Sequence, residues 1–243
     1  MSPENITPYK NSSQDKKLQV AHMFNNIARR YDFLNHFLSL GIDRYWRKKA
    51  VAQLRKKKPL LILDIATGTG DLAIEAMKLQ PAKIFGVDIS VDMLELGRKK
   101  IKNKNLEEKI ELLEGDSEHL FFEDNKFDAV TVAFGVRNFQ DLKKGLQEIY
   151  RVLKPEGKVV ILEFSHPTNP LIKKIYDFYS SHITPKIGQI ISKDKAAYSY
   201  LYESVKAFPY GNQFCNILKE NGFRDIHFKT LTFGIATIYI AEK

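Results

Sequence analysis

Cysteine is almost missing: Cys215 stands alone among 243 residues, so no disulfide can form within the chain. The six histidines show no Cys/His spacing of a zinc site, and no structural metal is expected. No window approaches the roughly 18 apolar residues of a membrane-spanning helix, and the polar first 17 residues have no apolar core of a secretory signal. A cytoplasmic protein is expected. Acidic side chains are the minority, 29 against 38 basic, for a formal charge of +9. That excess admits nucleic acid, an anionic membrane surface or a plain solvated lysine-rich face. Repeats and Gly/Ser linkers are also absent. With 44% hydrophobic and 28% charged residues the composition is that of one globular domain rather than a disordered chain.

What is present divides into segments of different period. Residues 1–17 read as a flexible arm, and residues 18–243 as a single domain. An N-terminal helical layer fills residues 18–58, with Val20, Met23, Phe24 and Ile27 on one face and Gly41 as a break. It predicts two or three helices before the sheet. Strand and helix signals then alternate: a first strand in the apolar run from Leu60 with Asp64 at its end, further strands at Lys83–Asp88, Ile110–Glu114, Phe127–Ala133 and Lys158–Phe164, and helices at Asp71–Leu79, Asp92–Lys102 and Asp141–Leu153. Residues 165–210 break the rhythm with an aromatic, partly helical stretch longer than a crossover needs, read as a lid. A helix over Gly211–Asn221 and a hairpin of Ile226–Thr232 with Ala236–Ala241 close the chain. The predicted fold is α/β and Rossmann-like: a seven-stranded, mostly parallel sheet with an antiparallel C-terminal strand and helices on both faces.

The chemistry centres on Leu60 to Asp71, where an apolar run ends in Asp64-Ile65-Ala66-Thr67-Gly68-Thr69-Gly70-Asp71. Gly68 and Gly70 let the backbone approach a ligand, and the helix that follows offers free N–H groups. Taken alone the spacing also fits a dinucleotide fingerprint. Asp64 and Asp71 bracket the turn, however, and two carboxylates would repel a pyrophosphate. They suit a ligand with an ammonium and a sulfonium centre, as S-adenosylmethionine has. Asp88, 18 residues past Gly70, is placed to accept from ribose hydroxyls. Asp116, after the third strand, is placed to accept from an adenine amine.

These motifs, with Gly86-Val87-Asp88-Ile89-Ser90, Gly115-Asp116-Ser117-Glu118 and Leu153-Lys154-Pro155-Glu156-Gly157, resemble the class I S-adenosylmethionine-dependent methyltransferases. Tyr31-Asp32-Phe33-Leu34-Asn35, Gly41-Ile42-Asp43-Arg44-Tyr45-Trp46-Arg47, Phe134-Gly135-Val136-Arg137-Asn138 and Leu162-Glu163-Phe164-Ser165 narrow the resemblance to the C-methyltransferases of menaquinone and ubiquinone biosynthesis. It runs from about residue 20 to the C-terminus and implies cofactor contacts at Thr69, Asp88, Asp116 and Ser117 beside the turn residues Asp64, Gly68 and Gly70. One position departs: some members carry Ser where this chain has Ala133.

The implied reaction moves a methyl group from S-adenosylmethionine to a ring carbon of a prenylated quinol, with demethylmenaquinol first and a methoxy-benzoquinol as the alternative. Arg137 and Asn138 are then expected to hold the quinol oxygen, and Tyr31 to orient the ring or relay its proton. The apolar tail implies transient contact with an anionic membrane surface, and homodimer formation stays open. No nucleic-acid partner is expected, because Val136-Arg137-Asn138-Phe139 replaces the Pro-Pro run of base-amine methyltransferases. A non-catalytic cofactor-binding subunit is the competitor from another class.

Overall fold

The computed structural model describes residues 6–39, 41–167, 169–178 and 195–243. Two helices precede the sheet, α1 (Lys16–Leu38) and α2 (Ile42–Ala52), and Gly41 between them takes a left-handed φ of 75°. Strand β1 (Leu61–Ile65) follows, then α3 (Asp71–Ala76) with a 3₁₀ turn at Met77–Leu79, β2 (Lys83–Asp88), α4 (Val91–Lys102), β3 (Ile110–Glu114) and β4 (Phe127–Ala133). The second half holds α5 (Leu142–Val152), β5 (Leu153–Phe164), α6 (Pro170–Phe178), α7 (Lys195–Ala207), α8 (Asn212–Glu220), β6 (Arg224–Leu231) and β7 (Ala236–Glu242).

The strands form one seven-stranded sheet in the order β3-β2-β1-β4-β5-β7-β6, and β7 alone runs against its neighbours. Alternation along β1 sends Leu63 and Ile65 into the core under α5 and α8, and Ile62 into the core under α2 and α3. Both faces are therefore covered, as parallel pairing requires. Helix α5 shows why these segments become helices. Asp141 caps it by accepting from the Lys144 amide at 2.9 Å, and Leu146, Ile149 and Val152 form its buried stripe. Strand order reverses between β1 and β4, which places a crevice outside their C-terminal ends.

Two expectations need revision. Helix α1 starts at Lys16, inside the stretch read as an arm, and Lys16 is buried with its ammonium donating to the carbonyls of Arg137 and Phe139 at 3.4 and 2.9 Å. Carbonyls left unpaired by the turn after β4 recruit a lysine that composition alone assigns to solvent. Strand β5 begins at Leu153, which pairs with Phe127, so the Lys154–Gly157 turn forms a bulge within the strand. In the aromatic stretch after β5, Tyr200 and Phe208 are buried, whereas residues 179–194 and the side chains of Phe178 and Tyr198 lie outside the described residues.

Candidate active site

The loops leaving β1 and β4 meet at the crevice in strained form. Ala66 and Phe134, each the first residue past its strand, hold φ of 52° and 58°, conformations that side chains rarely adopt. Gly135 lets the loops touch, since a Cβ there would stand 2.5 Å from the Ala66 Cβ. Gly68 and Gly70 take φ of 55° and 79°, and the Gly70 amide closes the turn on the Thr67 carbonyl at 2.9 Å.

Two adjoining hollows open above these loops, of about 710 and 360 Å³. Both are lined by Tyr31, Ala66, Gly68, Ala133 and Phe134. The larger continues along Asp88, Met93, Asp116 and Ser117 towards Asn138, under Lys17, Val20 and Phe24 of α1. The smaller continues along Arg47, Asp64, Thr69 and Asp71.

The acids have different surroundings. Asp64 is 1% exposed and accepts from the hydroxyls of Thr67 and Thr131 at 2.6 and 2.7 Å. Burial pushes its pKa up to about 6 against the pull of those hydroxyls. Asp88 accepts from the amides of Gly68 and Ser90 at 2.7 and 2.9 Å, and burial raises its pKa too. Partial burial also works to raise Asp116, but Lys17 at 2.6 Å, the Glu118 amide and His119 outweigh it and hold its pKa down.

Thr69 and Asp71 are taken up differently from expectation. The Thr69 hydroxyl donates to Asp32 at 2.6 Å and accepts from Lys100 at 2.9 Å, and Lys100 also pairs with Asp71 at 2.5 Å and Asp32 at 2.7 Å. Asp71 is thus matched by a lysine from α4 rather than standing as a free carboxylate. Arg47, which sequence reasoning passed over, is held by Asp43 and lies 3.7 Å from Asp71 while lining the smaller hollow. The Gly41–Arg47 motif was its signal, and the Tyr31–Asn35 motif carried that of Asp32.

Helix α1 is fastened over the cleft at three loops. Lys17 pairs with Asp116 and Glu118 at 2.6 and 2.8 Å, Asn25 accepts from the Ser90 hydroxyl at 2.6 Å, and Asp32 reaches the glycine turn.

The three expected catalytic residues separate. Tyr31 and Asn138 line the larger hollow. Arg137 lies behind the wall, 4% exposed, with Nη1 donating to Glu163 at 2.7 Å and to the Phe134 carbonyl at 2.6 Å. Its guanidinium also lies over the Phe164 ring at 5.4 Å. Glu163 is fully buried, and burial raises its pKa against the opposing pull of Arg137. Asn138 accepts from the Tyr200 hydroxyl at 3.1 Å. Sequence reasoning singled out neither Glu163 nor Tyr200 as a site residue.

Residues 10–243 match the model of the ubiE/COQ5 methyltransferase family. The chain belongs to that family. Within it, a demethylmenaquinone methyltransferase of Bacteroides fragilis is 51% identical over 241 residues, 99% of this chain and 98% of the relative. A ubiquinone/menaquinone biosynthesis C-methyltransferase of a Geobacter species is 46% identical over 231 residues, 94% of this chain and 98% of that relative. Among solved structures, an S-adenosylmethionine-dependent methyltransferase of Thermotoga maritima superposes with a TM-score of 0.65 at 19% identity, covering 91% of this chain and 99% of that one. That likeness shows the fold of the ubiE/COQ5 chain, and the family membership adds methyl transfer.

Proposed function

We propose that the protein transfers a methyl group from S-adenosylmethionine to a ring carbon of demethylmenaquinol. The observation that carries the reading is the pair of joined hollows at the strand ends of a ubiE/COQ5 family member. Their donor set fits the cofactor: Asp64 with Arg47 suits an amino acid's ammonium and carboxylate, and Asp88, Asp116 and Ser117 suit a nucleoside. When bound, S-adenosylmethionine supplies an electrophilic methyl group on a sulfonium. Asp88, already steadied by the Gly68 and Ser90 amides, keeps lone pairs for ribose hydroxyls.

At the acceptor end, Asn138 donates an N–H to the quinol oxygen as it gains negative charge, and Tyr31 orients the ring. Arg137 acts through the turn: by gripping Glu163 and the Phe134 carbonyl it fixes the loop that carries Asn138. Helix α1 roofs the larger hollow and excludes water where phenolate and sulfonium charges cancel.

No helix among the described residues is long and apolar enough to cross a membrane; the very apolar tail of a prenylated acceptor is what supports contact with a bilayer surface. Exposed Leu171, Lys173 and Lys174 on α6, with Phe233 between β6 and β7, supply apolar and basic contacts there. Each lysine contributes about 1 kcal/mol against anionic lipid.

The test incubates the chain with S-adenosylmethionine and either reduced demethylmenaquinone or the reduced methoxy-benzoquinone, and looks for one added methyl by mass spectrometry. Methylation of the naphthoquinol is expected. Cofactor binding without transfer to either quinol would leave the non-catalytic subunit as the better reading.

A further inference from the structure

Tyr200 sits on α7, in the long connection between β5 and α8, yet its side chain reaches the wall of the acceptor hollow. It is 2% exposed and belongs to a small core with Met23 and Ile27 of α1 and Met93 of α4. Burial pushes the phenol pKa up, so the hydroxyl keeps its proton and donates. Its acceptor is Asn138 Oδ1, at 3.1 Å.

A primary amide has a donor end and an acceptor end of nearly equal size, and only its partners decide which faces where. Asn138 Nδ2 has one long contact, 3.4 Å to the Phe134 carbonyl, which also receives Arg137 Nη1 at 2.6 Å. That carbonyl can only accept, so it decides which end of the amide is nitrogen, but at 3.4 Å it holds the plane loosely. The shorter bond from Tyr200, whose hydroxyl could meet either end of an amide, holds Oδ1 from the other side and fixes the plane that the carbonyl leaves loose.

We propose that Tyr200 is a positioning residue for methyl transfer, holding the Asn138 amide so that an N–H faces the acceptor's oxygen. A flipped amide would turn oxygen lone pairs towards the forming phenolate and oppose the charge that Asn138 is there to stabilise. The connection after β5 thereby takes part in the chemistry through one hydroxyl. This inference rests on the acceptor site assigned above.

The test is a double-mutant cycle on the full chain with demethylmenaquinol and S-adenosylmethionine. Tyr200→Phe keeps the ring and its packing and removes only the hydroxyl. It should lower kcat about 10- to 100-fold, the span of a charge-assisted hydrogen bond, with cofactor affinity within about twofold. The acid limb of the kcat–pH profile should move to higher pH, because the forming phenolate has lost support. Asn138→Ala should be slow, and Tyr200→Phe added to it should cost nothing further. Asn138→Leu, close in size and with no polar end to orient, should be equally insensitive to Tyr200→Phe and covers the case where the alanine variant folds poorly. Additive losses in both backgrounds, or an unmoved pH profile in Tyr200→Phe, would overturn the role of Tyr200 while leaving the activity intact. A wild-type chain that binds cofactor but methylates no quinol would instead remove the acceptor site, and this inference with it.

Discussion

Replacing Glu163 by Ala probes whether the buried pair behind the acceptor wall is structural. The carboxylate receives Arg137 Nη1 at 2.7 Å, the Phe164 amide at 2.8 Å and, more loosely, the Arg137 amide at 3.5 Å. Its loss strands a guanidinium in the interior with the Phe134 carbonyl and the Phe164 ring, and Arg137 Nε is already buried without a hydrogen-bond partner. Breaking one side of such a pair costs about 3–5 kcal/mol. At about 2–4 °C per kcal/mol for a chain of this size, the melting temperature should fall by roughly 6–20 °C. Urea denaturation of the purified protein, with a thermal melt beside it, reads both quantities. The same reasoning makes the double variant Arg137→Met/Glu163→Leu more stable than Glu163→Ala, because no charge is left unpaired. That double variant should still turn over slowly, since the Phe134 carbonyl has lost its clamp. A cost below about 1 kcal/mol, or a double variant no better than the single, would refute the argument.

Asp64 should give stability a pH signature. Its pKa near 6 in the fold, against about 3.9 unfolded, means the folded state holds the extra proton between those values. Stability should therefore fall as pH rises through that window, by about 3 kcal/mol. Asp64→Asn should flatten that component in urea titrations from pH 4 to 7.5, and an unchanged pH slope would count against the buried, raised carboxyl. Gly135→Ala places a Cβ 2.5 Å from the Ala66 Cβ and should cost about 1–3 kcal/mol by overpacking, with weaker cofactor binding by calorimetry. Adding Ala66→Gly should restore most of both, and no rescue would show that the clash lies elsewhere. Charge reversal at Lys173 and Lys174 should reduce co-sedimentation with phosphatidylglycerol vesicles while sparing activity on a short-tailed quinol; unchanged binding would move the membrane contact off α6.

Strands β2, β3 and β4 were legible to the residue, because β2 ends at Asp88, β3 runs into Gly115-Asp116 and β4 is rich in apolar and β-branched residues. The starts of the helices capped by Ser90 and Asp141 were legible within a residue from the change of period, and the structure adds the caps themselves. Less visible was anything fixed by partners far along the chain. Arg137 and Glu163 pair across 26 residues from the ends of two strands, so the motif showed an arginine without showing what it holds. Lys100 closes on Asp71 from another helix, which turned a cradle of two acids into one acid and an ion pair. Lys16 and Lys17 looked like solvent-facing arm residues because burial of a lysine depends on acceptors that only the folded loops supply.

The three fastenings of α1 bear on traffic as well as architecture. Asp116, Ser90 and Thr69, the points where the helix is tied down, stand on the same loops that line the two hollows. A cofactor that exchanges on the α1 side would have to undo these ties and let them form again. The first of those ties is an ion pair that salt weakens, and Asp32 in the third also pairs with Lys100; the residence time of the product should therefore shorten as ionic strength rises, making the solvent a clutch on the enzyme's exchange cycle.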